Sequence, residues 1–138
     1  MARIVQKFGG TSVGSVERIK AVAQKVKATV DAGHEVAVVV SAMSGTTNQL
    51  VTWAKQCGTF HDAREYDAVV ASGEQVTVGL LAIALQDIGV DARSWLGWQI
   101  PIHTDDAHGS ARIESIDTAI LSERLSMGQV AVVVGFQG

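Results

Sequence analysis

Two apolar runs, residues 36–40 and 130–134, share the sequence Val-Ala-Val-Val-Val, and neither alternates with polar residues. Unbroken β-branched runs are typical of strands buried on both faces, as in a parallel sheet that helices cover. Three further segments have shorter extended patterns, at residues 3–6, 91–95 and 111–114. The chain is therefore predicted to contain five strands, of which two lie deep in a sheet.

Between these runs, apolar residues recur every three or four positions, which predicts helices. The first helix follows Ser15, a favourable N-cap residue, and stops at Gly33. The second covers residues 46–57, where Thr46 and Gln49 have the spacing of a capping box. The apolar positions of the two helices are Val16, Ile19, Val22, Ala23, Val26 and Val30 in the first, and Leu50, Trp53, Ala54 and Cys57 in the second.

Two more helices are predicted in the middle of the chain. A short one lies around residues 66–70, and a longer one runs from Gly73 to about Ile88, with Ser72 and Gln75 spaced as a capping box. The longer helix is apolar almost all round, which predicts a central, buried position. A last helix is marked by Ile116, Ala119, Ile120 and Leu125 and ends near Gly128.

Strands and helices that alternate in this way predict an α/β fold, a three-layer αβα sandwich around a mostly parallel central sheet. The 138 residues suffice for one domain, and a composition of 47% hydrophobic and 18% charged residues indicates a globular chain. The net charge of −3 argues against a nucleic-acid or acidic-membrane binder. The apolar runs look too short or too interrupted to span a membrane.

Cysteine usage and the N-terminus favour a cytoplasmic location. The single cysteine, Cys57, cannot form an internal disulfide, and its helical pattern predicts a buried apolar role. No signal peptide is expected, because the chain enters a strand almost at once.

The first loop with chemical potential follows the first strand and reads Lys-Phe-Gly-Gly-Thr-Ser-Val at residues 7–13. Gly9 and Gly10 let backbone N–H groups approach an anion closely, and Lys7 adds a positive charge for a phosphoryl group. The lysine precedes the glycines, so this is not a Walker A loop. The residues alone leave two interpretations open, a phosphate cradle and a plain turn.

Residues 41–48 form a second such loop, Ser-Ala-Met-Ser-Gly-Thr-Thr-Asn, at the predicted carboxyl end of a buried strand. Ligands in open α/β sheets bind beyond the carboxyl ends of the strands, and a helix N-terminus favours a phosphate or carboxylate. The alternative is that Ser44, Thr46 and Thr47 only cap the helix.

Ser72-Gly73-Glu74 is the third feature, with Glu74 predicted in the first turn of an apolar helix. Its carboxylate either complements the helix dipole or offers a fixed negative charge to a substrate ammonium. The remaining polar residues carry weaker signals. His103 and His108 flank two aspartates but predict a polar loop rather than a metal site. His34 and His61 carry no signal, and Asp62, Arg64, Glu65 and Asp67 are expected to form a solvated face.

The three motifs, at residues 7–13, 40–48 and 72–74, resemble in this order those of the aspartate kinases, in the amino-acid kinase family. Residues 98–106 and 108–113 also resemble family stretches, although Pro101 stands where the family usually has glycine. The resemblance implies the amino-acid kinase fold and ATP-dependent phosphorylation of the side-chain carboxylate of L-aspartate. This reaction gives aspartyl phosphate, the first step toward lysine, threonine and methionine.

The resemblance also implies roles for individual residues. Lys7 would be the catalytic residue and, with Phe8, Gly9 and Gly10, would bind the phosphates of ATP. Ser41 and Thr47 would hold the substrate, and Glu74 would bind the amino group of aspartate. Magnesium is expected with ATP, and no bound organic cofactor is implied.

Residues 1–138 are expected to be the N-terminal part of the catalytic domain, because the chain stops at Gly135–Gly138 directly after a predicted buried strand. The nucleotide-binding half and regulatory domains would follow. Residues 130–134 would then lack neighbours, so a homo-oligomer or association with the missing parts is expected. Two alternatives stay open: another amino-acid kinase, acting on acetylglutamate, glutamate, carbamate or a nucleotide, or a non-catalytic binding or assembly module.

Overall fold

The computed structural model describes residues 1–59 and 62–135, so His61 and residues 136–138 lie outside the described residues. The strands are β1 (Arg3–Phe8), β2 (Glu35–Val40), β3 (Ala92–Trp95), β4 (Ile102–Thr104), β5 (Ile113–Ile116) and β6 (Val130–Val134). The α-helices are α1 (Val16–Asp31), α2 (Thr46–Cys57), α3 (Ala63–Asp87) and α4 (Ala119–Ser126), and a 3-10 turn spans Gly10–Val13.

Four parallel strands form the central sheet, in the order β1-β2-β6-β3. The two identical apolar runs are the adjacent strands β2 and β6, with Val40 opposite Val134, which confirms the prediction of buried parallel strands. The strand predicted at residues 111–114 is shifted to β5. It pairs with β4 in a separate antiparallel hairpin instead of joining the main sheet.

Helices cover both faces of the sheet, which confirms the predicted sandwich. Helices α1 and α3 pack on one face, against alternate valines of β2 and β6, through Ile19, Val26, Leu81 and Leu85. On the other face, Leu125 of α4 packs with Trp95, Ile100, Ala37 and Ala131. Ser15 caps α1 as predicted, since its Oγ accepts a hydrogen bond from the Arg18 N–H at 3.2 Å.

The two helices predicted between residues 66 and 88 are one continuous helix, α3. Its N-cap is Asp62, whose Oδ1 accepts hydrogen bonds from the Arg64 and Glu65 N–H groups at 2.8 and 3.4 Å. Ser72 caps nothing, because its Oγ donates to the Val69 carbonyl at 2.6 Å. Packing of the apolar face along the whole segment outweighs the weak helix propensity of Ser72 and Gly73. Glu74 therefore lies in the middle of a helix.

Two burial predictions were wrong. Cys57 is exposed, and α2 has no fully buried residue. The second half of α3 is buried only toward the sheet, since Val76 and Ile83 are 55% and 63% exposed. Helix α2 packs mainly on α3, and α3 packs on the sheet, α1 and α2 but leaves one face open to solvent.

Helix α3 is long and apolar enough to cross a membrane by length and composition, contrary to the expectation that no segment would be. Half of its most apolar window is buried inside the protein. The same composition is found in the core helix of a globular domain, which is the position that α3 occupies here.

Candidate functional site

Two loops and Gly135, the residue after β6, meet at the carboxyl edge of the sheet, where β1, β2 and β6 end side by side. The Ser41 N–H donates to the Phe8 carbonyl at 3.3 Å, and the Ser44 N–H donates to the Gly10 carbonyl at 3.1 Å. The Gly135 N–H donates to the Val40 carbonyl at 2.9 Å. The first two sequence motifs are therefore joined by backbone hydrogen bonds, at the edge where open α/β sheets bind ligands.

The two glycines of the first motif have different roles. A Cβ on Gly10 would lie 3.1 Å from the Ala42 carbonyl oxygen, so Gly10 allows the first loop to pack on the second. Gly9 is exposed, and a Cβ there would meet nothing within 4 Å. The backbone at Gly9 is thus open to a ligand, as a phosphate cradle requires.

Lys7 lies one residue before the end of β1, opposite Val39 of β2. Its neighbour Phe8 packs on the core between the sheet, α1 and α3. Successive strand residues face opposite sides, so Lys7 projects toward the other face of the sheet. Lys7 is exposed and has no ion-pair partner within residues 1–59 and 62–135, which leaves its charge available to an anionic ligand.

The second loop presents hydroxyl groups that do not cap the following helix. The N-cap of α2 is Gly45, at φ 85°, and no side chain makes a cap hydrogen bond there. Ser41 is half-buried directly after β2, and Thr47 is exposed in the first turn of α2. Capping therefore does not explain the hydroxyl cluster. The N–H groups at this helix start remain suited to an anion.

Glu74 reaches this loop from α3. The helix can approach because of Gly73, where an added Cβ would lie 2.9 Å from the Ala42 Cβ and 3.3 Å from the Leu50 Cδ1. Glu74 is 6% exposed, and its Oε2 is buried with no hydrogen-bond partner among the described residues. Burial raises the pKa of Glu74, and backbone hydrogen bonds at Ala42 and at Glu74 itself partly oppose that rise.

The mid-helix position of Glu74 removes the helix-dipole interpretation, which needed a place in the first turn. A buried carboxylate with an unpartnered oxygen is costly for the fold unless a ligand satisfies it. The geometry thus favours the other interpretation, a fixed negative charge that faces a cationic group.

The sequence-based interpretation missed Asp67, which was assigned to a solvated face. Asp67 is only 5% exposed, and its Oδ2 accepts a hydrogen bond from the Gly109 N–H at 2.9 Å. His108 Nδ1 lies 3.7 Å from the same oxygen. Asp67 and Glu74 are seven residues apart and so share one helix face, and this spacing was the sequence feature that could have revealed the buried position of Asp67. In the part of the chain that the structure describes, no three His, Cys, Asp or Glu residues are grouped to hold a metal ion.

Comparison with known proteins identifies the family. The model of the amino acid kinase family matches residues 2–138. Aspartokinase 2 of Bacillus subtilis (strain 168) is 51% identical to this chain over 138 residues, which are 100% of this chain and 34% of the relative. The chain thus spans about a third of the length of the curated relatives that it matches.

Solved structures agree. The crystal structure of aspartate kinase from Synechocystis has a TM-score of 0.79 and 46% identity, and the match covers 97% of this chain and 22% of that one. E. coli aspartokinase III in complex with aspartate and ADP has a TM-score of 0.80 at 21% identity, covering 96% of this chain and 40% of that one, a likeness of fold. From its sequence, its fold and the loops that meet at the carboxyl edge, this chain belongs to the amino acid kinase family.

Proposed function

We propose that this chain is the N-terminal part of the catalytic domain of an aspartate kinase, which phosphorylates the side-chain carboxylate of L-aspartate with ATP. The observation that carries the proposal is the buried carboxylate of Glu74, with one oxygen unpartnered, against the loop at Ala42. The ammonium group of aspartate would supply the missing partner. Identity of about 50% to aspartokinases over the whole chain supports the same substrate.

The residues suit phosphoryl transfer to a carboxylate. The acceptor carboxylate is already ionised at neutral pH, so the reaction needs no general base. It needs alignment of the two reactants and cancellation of charge on the transferred group. Lys7 would neutralise that charge, and the N–H groups of Gly9 and Gly10 would cradle it. Ser41 and Thr47 would hold the substrate beside Glu74.

ATP enters this proposal as a substrate, and magnesium as its companion. The described residues offer no cluster of three metal ligands. Magnesium in kinases is typically held by substrate phosphates together with one or two carboxylates. Most contacts to the nucleotide would come from the portion of the enzyme that corresponds to the remaining two thirds of the relatives.

The biological setting is part of the same proposal. The product, aspartyl phosphate, would be the first intermediate toward lysine, threonine and methionine. A cytoplasmic location and a homo-oligomeric enzyme are proposed with it, and the exposed Cys57 thiol is compatible with a reducing compartment.

A substrate panel tests the proposal. Full-length enzyme would be assayed for ADP release with ATP and, in turn, L-aspartate, N-acetyl-L-aspartate, L-glutamate, N-acetyl-L-glutamate and carbamate. We expect turnover with L-aspartate alone. N-acetyl-L-aspartate is the matched control, since it keeps both carboxylates and lacks the ammonium group that Glu74 would bind. Turnover with N-acetyl-L-glutamate instead would indicate another amino-acid kinase, and turnover with none of them would indicate a binding or assembly module.

A further inference from the structure

The β4–β5 hairpin is tied to α3 through one buried carboxylate. Its connecting loop, residues 105–112, contacts α3 at Gly109, whose N–H donates to Asp67 Oδ2 at 2.9 Å. Asp67 is 5% exposed, and His108 Nδ1 lies 3.7 Å from the same oxygen. The hydrogen bond from the Gly109 N–H to the buried Asp67 carboxylate therefore ties the loop directly to the helix.

The loop is also braced internally, so it is held as a unit. Asp105 Oδ1 accepts hydrogen bonds from the Ala107 and Arg112 N–H groups at 3.1 and 3.3 Å. The Asp105 N–H donates to the Arg112 carbonyl at 3.1 Å. Gly109, at φ 86°, makes the turn at which the loop meets Asp67. Movement at Gly109 would therefore carry the whole loop with it.

Topology places this loop on the ligand side of the sheet. Gly73 packs on Ala42 and Thr46, at the start of α2, whereas Tyr66 and Val69 of α3 line a groove with Trp53 and Cys57, near the end of α2. Helices α2 and α3 thus run antiparallel. Because the second half of α3 packs on the sheet, the first half of α3 and the end of α2 extend beyond the carboxyl edge.

Asp67 lies in that extension. It is seven residues, or about two turns and ~10 Å, before Glu74 on the same helix face.

We propose that Asp67 is a positioning residue that holds the loop of residues 105–112 as a wall above the aspartate site. This inference rests on the proposed function. Asp67 would act on substrate binding through the loop, without contact to the reacting atoms. Its loss would widen the site around aspartate and leave the phosphate loop at Gly9 and Gly10 in place.

The test compares Asp67→Ala and Asp67→Asn in the full-length enzyme. We expect Asp67→Ala to raise the KM for aspartate roughly tenfold, as one charge-assisted hydrogen bond that orders the loop is lost. The KM for ATP should change much less. Asp67→Asn keeps an acceptor oxygen for the Gly109 N–H and should restore most of the affinity. Hydrogen exchange of the Gly109 amide without substrate should speed up in Asp67→Ala and less in Asp67→Asn.

The matched control is Asp62→Ala, on the same helix. It loses the N-cap hydrogen bonds to Arg64 and Glu65 but does not touch Gly109. Equal increases in the aspartate KM for Asp62→Ala and Asp67→Ala would overturn the inference, because general loss of helix stability would explain both. An unchanged aspartate KM in Asp67→Ala would overturn it while leaving the proposed function intact. Wild-type enzyme without aspartate-dependent turnover would overturn both.

Discussion

Glu74 is a residue at which folding and function conflict. Its carboxylate is buried with one unpartnered oxygen, and burial raises its pKa. Because the folded-state pKa lies above the unfolded value, the native state holds the proton more tightly. The contribution to stability is complete below the ordinary pKa of a glutamate and is lost as the pH rises through the folded-state pKa. Ionisation of Glu74 in the apo protein is therefore unfavourable, and an ammonium ligand would relieve that cost.

Glu74→Gln separates the effect of the buried carboxylate on stability from its effect on aspartate binding. We expect the substitution to raise the aspartate requirement, because a charged hydrogen bond worth roughly 1.5–3 kcal/mol is lost. The same substitution should raise the thermal unfolding temperature at neutral pH and make stability depend less on pH. Kinetics with varied aspartate and varied ATP, plus melting curves at pH 5 and pH 8, check both effects. If the KM for ATP rises as much as that for aspartate, Glu74 has a structural role only.

Substitution of Lys7 tests a different effect, the neutralisation of the negative charge that develops during phosphoryl transfer. We expect Lys7→Ala to lower the turnover of the full-length enzyme by ~10²–10³-fold, the usual loss for one such stabilising group. Aspartate binding should change little, because Lys7 projects away from the face on which α3 packs. Lys25→Ala, an exposed lysine on α1, is the control for loss of charge. Unchanged turnover in Lys7→Ala would remove this residue from the mechanism.

Among the elements, the junction between α3 and the loop after β2 decides whether Glu74 reaches the site. Gly73 and Gly79 lie on the same helix but in different surroundings. A Cβ on Gly73 would clash with Ala42, whereas a Cβ on Gly79 would meet nothing within 4 Å. The chain therefore contains a built-in comparison between a glycine needed for close approach and one that is not.

Gly73→Ala should destabilise the fold by about 1–3 kcal/mol, because the extra methyl group overpacks the junction. It should also weaken aspartate binding, since α3 must move away from the loop. Gly79→Ala should stabilise the fold by up to about 1 kcal/mol through better helix propensity, with no effect on aspartate. Chemical denaturation and aspartate titration of both variants measure this. If both substitutions changed the stability in the same direction, the close packing of Gly73 on Ala42 would be contradicted.

At the scale of the whole molecule, the strand predicted to be left without neighbours is fully paired. β6 lies between β2 and β3, and four of its five residues are buried. The expectation that residues 130–134 would lack neighbours was therefore wrong. Exposed apolar surface is found elsewhere, at Val16, Val76 and Ile83 on helices α1 and α3, which are each more than half exposed. An apolar surface of this kind favours association.

The 138-residue chain alone is expected to show no sustained aspartate-dependent turnover. It holds the proposed phosphate loop and aspartate site, but phosphoryl transfer depends on positioning both reactants together. It is also expected to self-associate through the exposed face of α1 and α3. A coupled ADP-release assay and sedimentation velocity on the purified chain measure both properties. A monomer with sustained turnover would contradict the proposal that nucleotide contacts lie in the rest of the enzyme.

The sequence by itself determined the fold class and the identity of the motifs. Unbroken valine runs predicted the two central strands, because only strands covered on both faces can be apolar at every position. The rule that ligands bind at the carboxyl ends of strands predicted that the first two motifs lie at one edge of the sheet, and backbone hydrogen bonds join them there. These inferences succeeded because they depend on local spacing, which the sequence displays directly.

Only the tertiary structure decided which polar groups are buried and what they contact. Asp62 and Asp67 are both acidic residues near the start of α3, yet one caps the helix in solvent and the other anchors a loop 42 residues away. Cys57 and Val76 have apolar patterns but face solvent. Burial depends on what packs against a residue from distant parts of the chain. Helical spacing shows only which residues share a face, and the neighbour that covers that face is decided when the elements assemble.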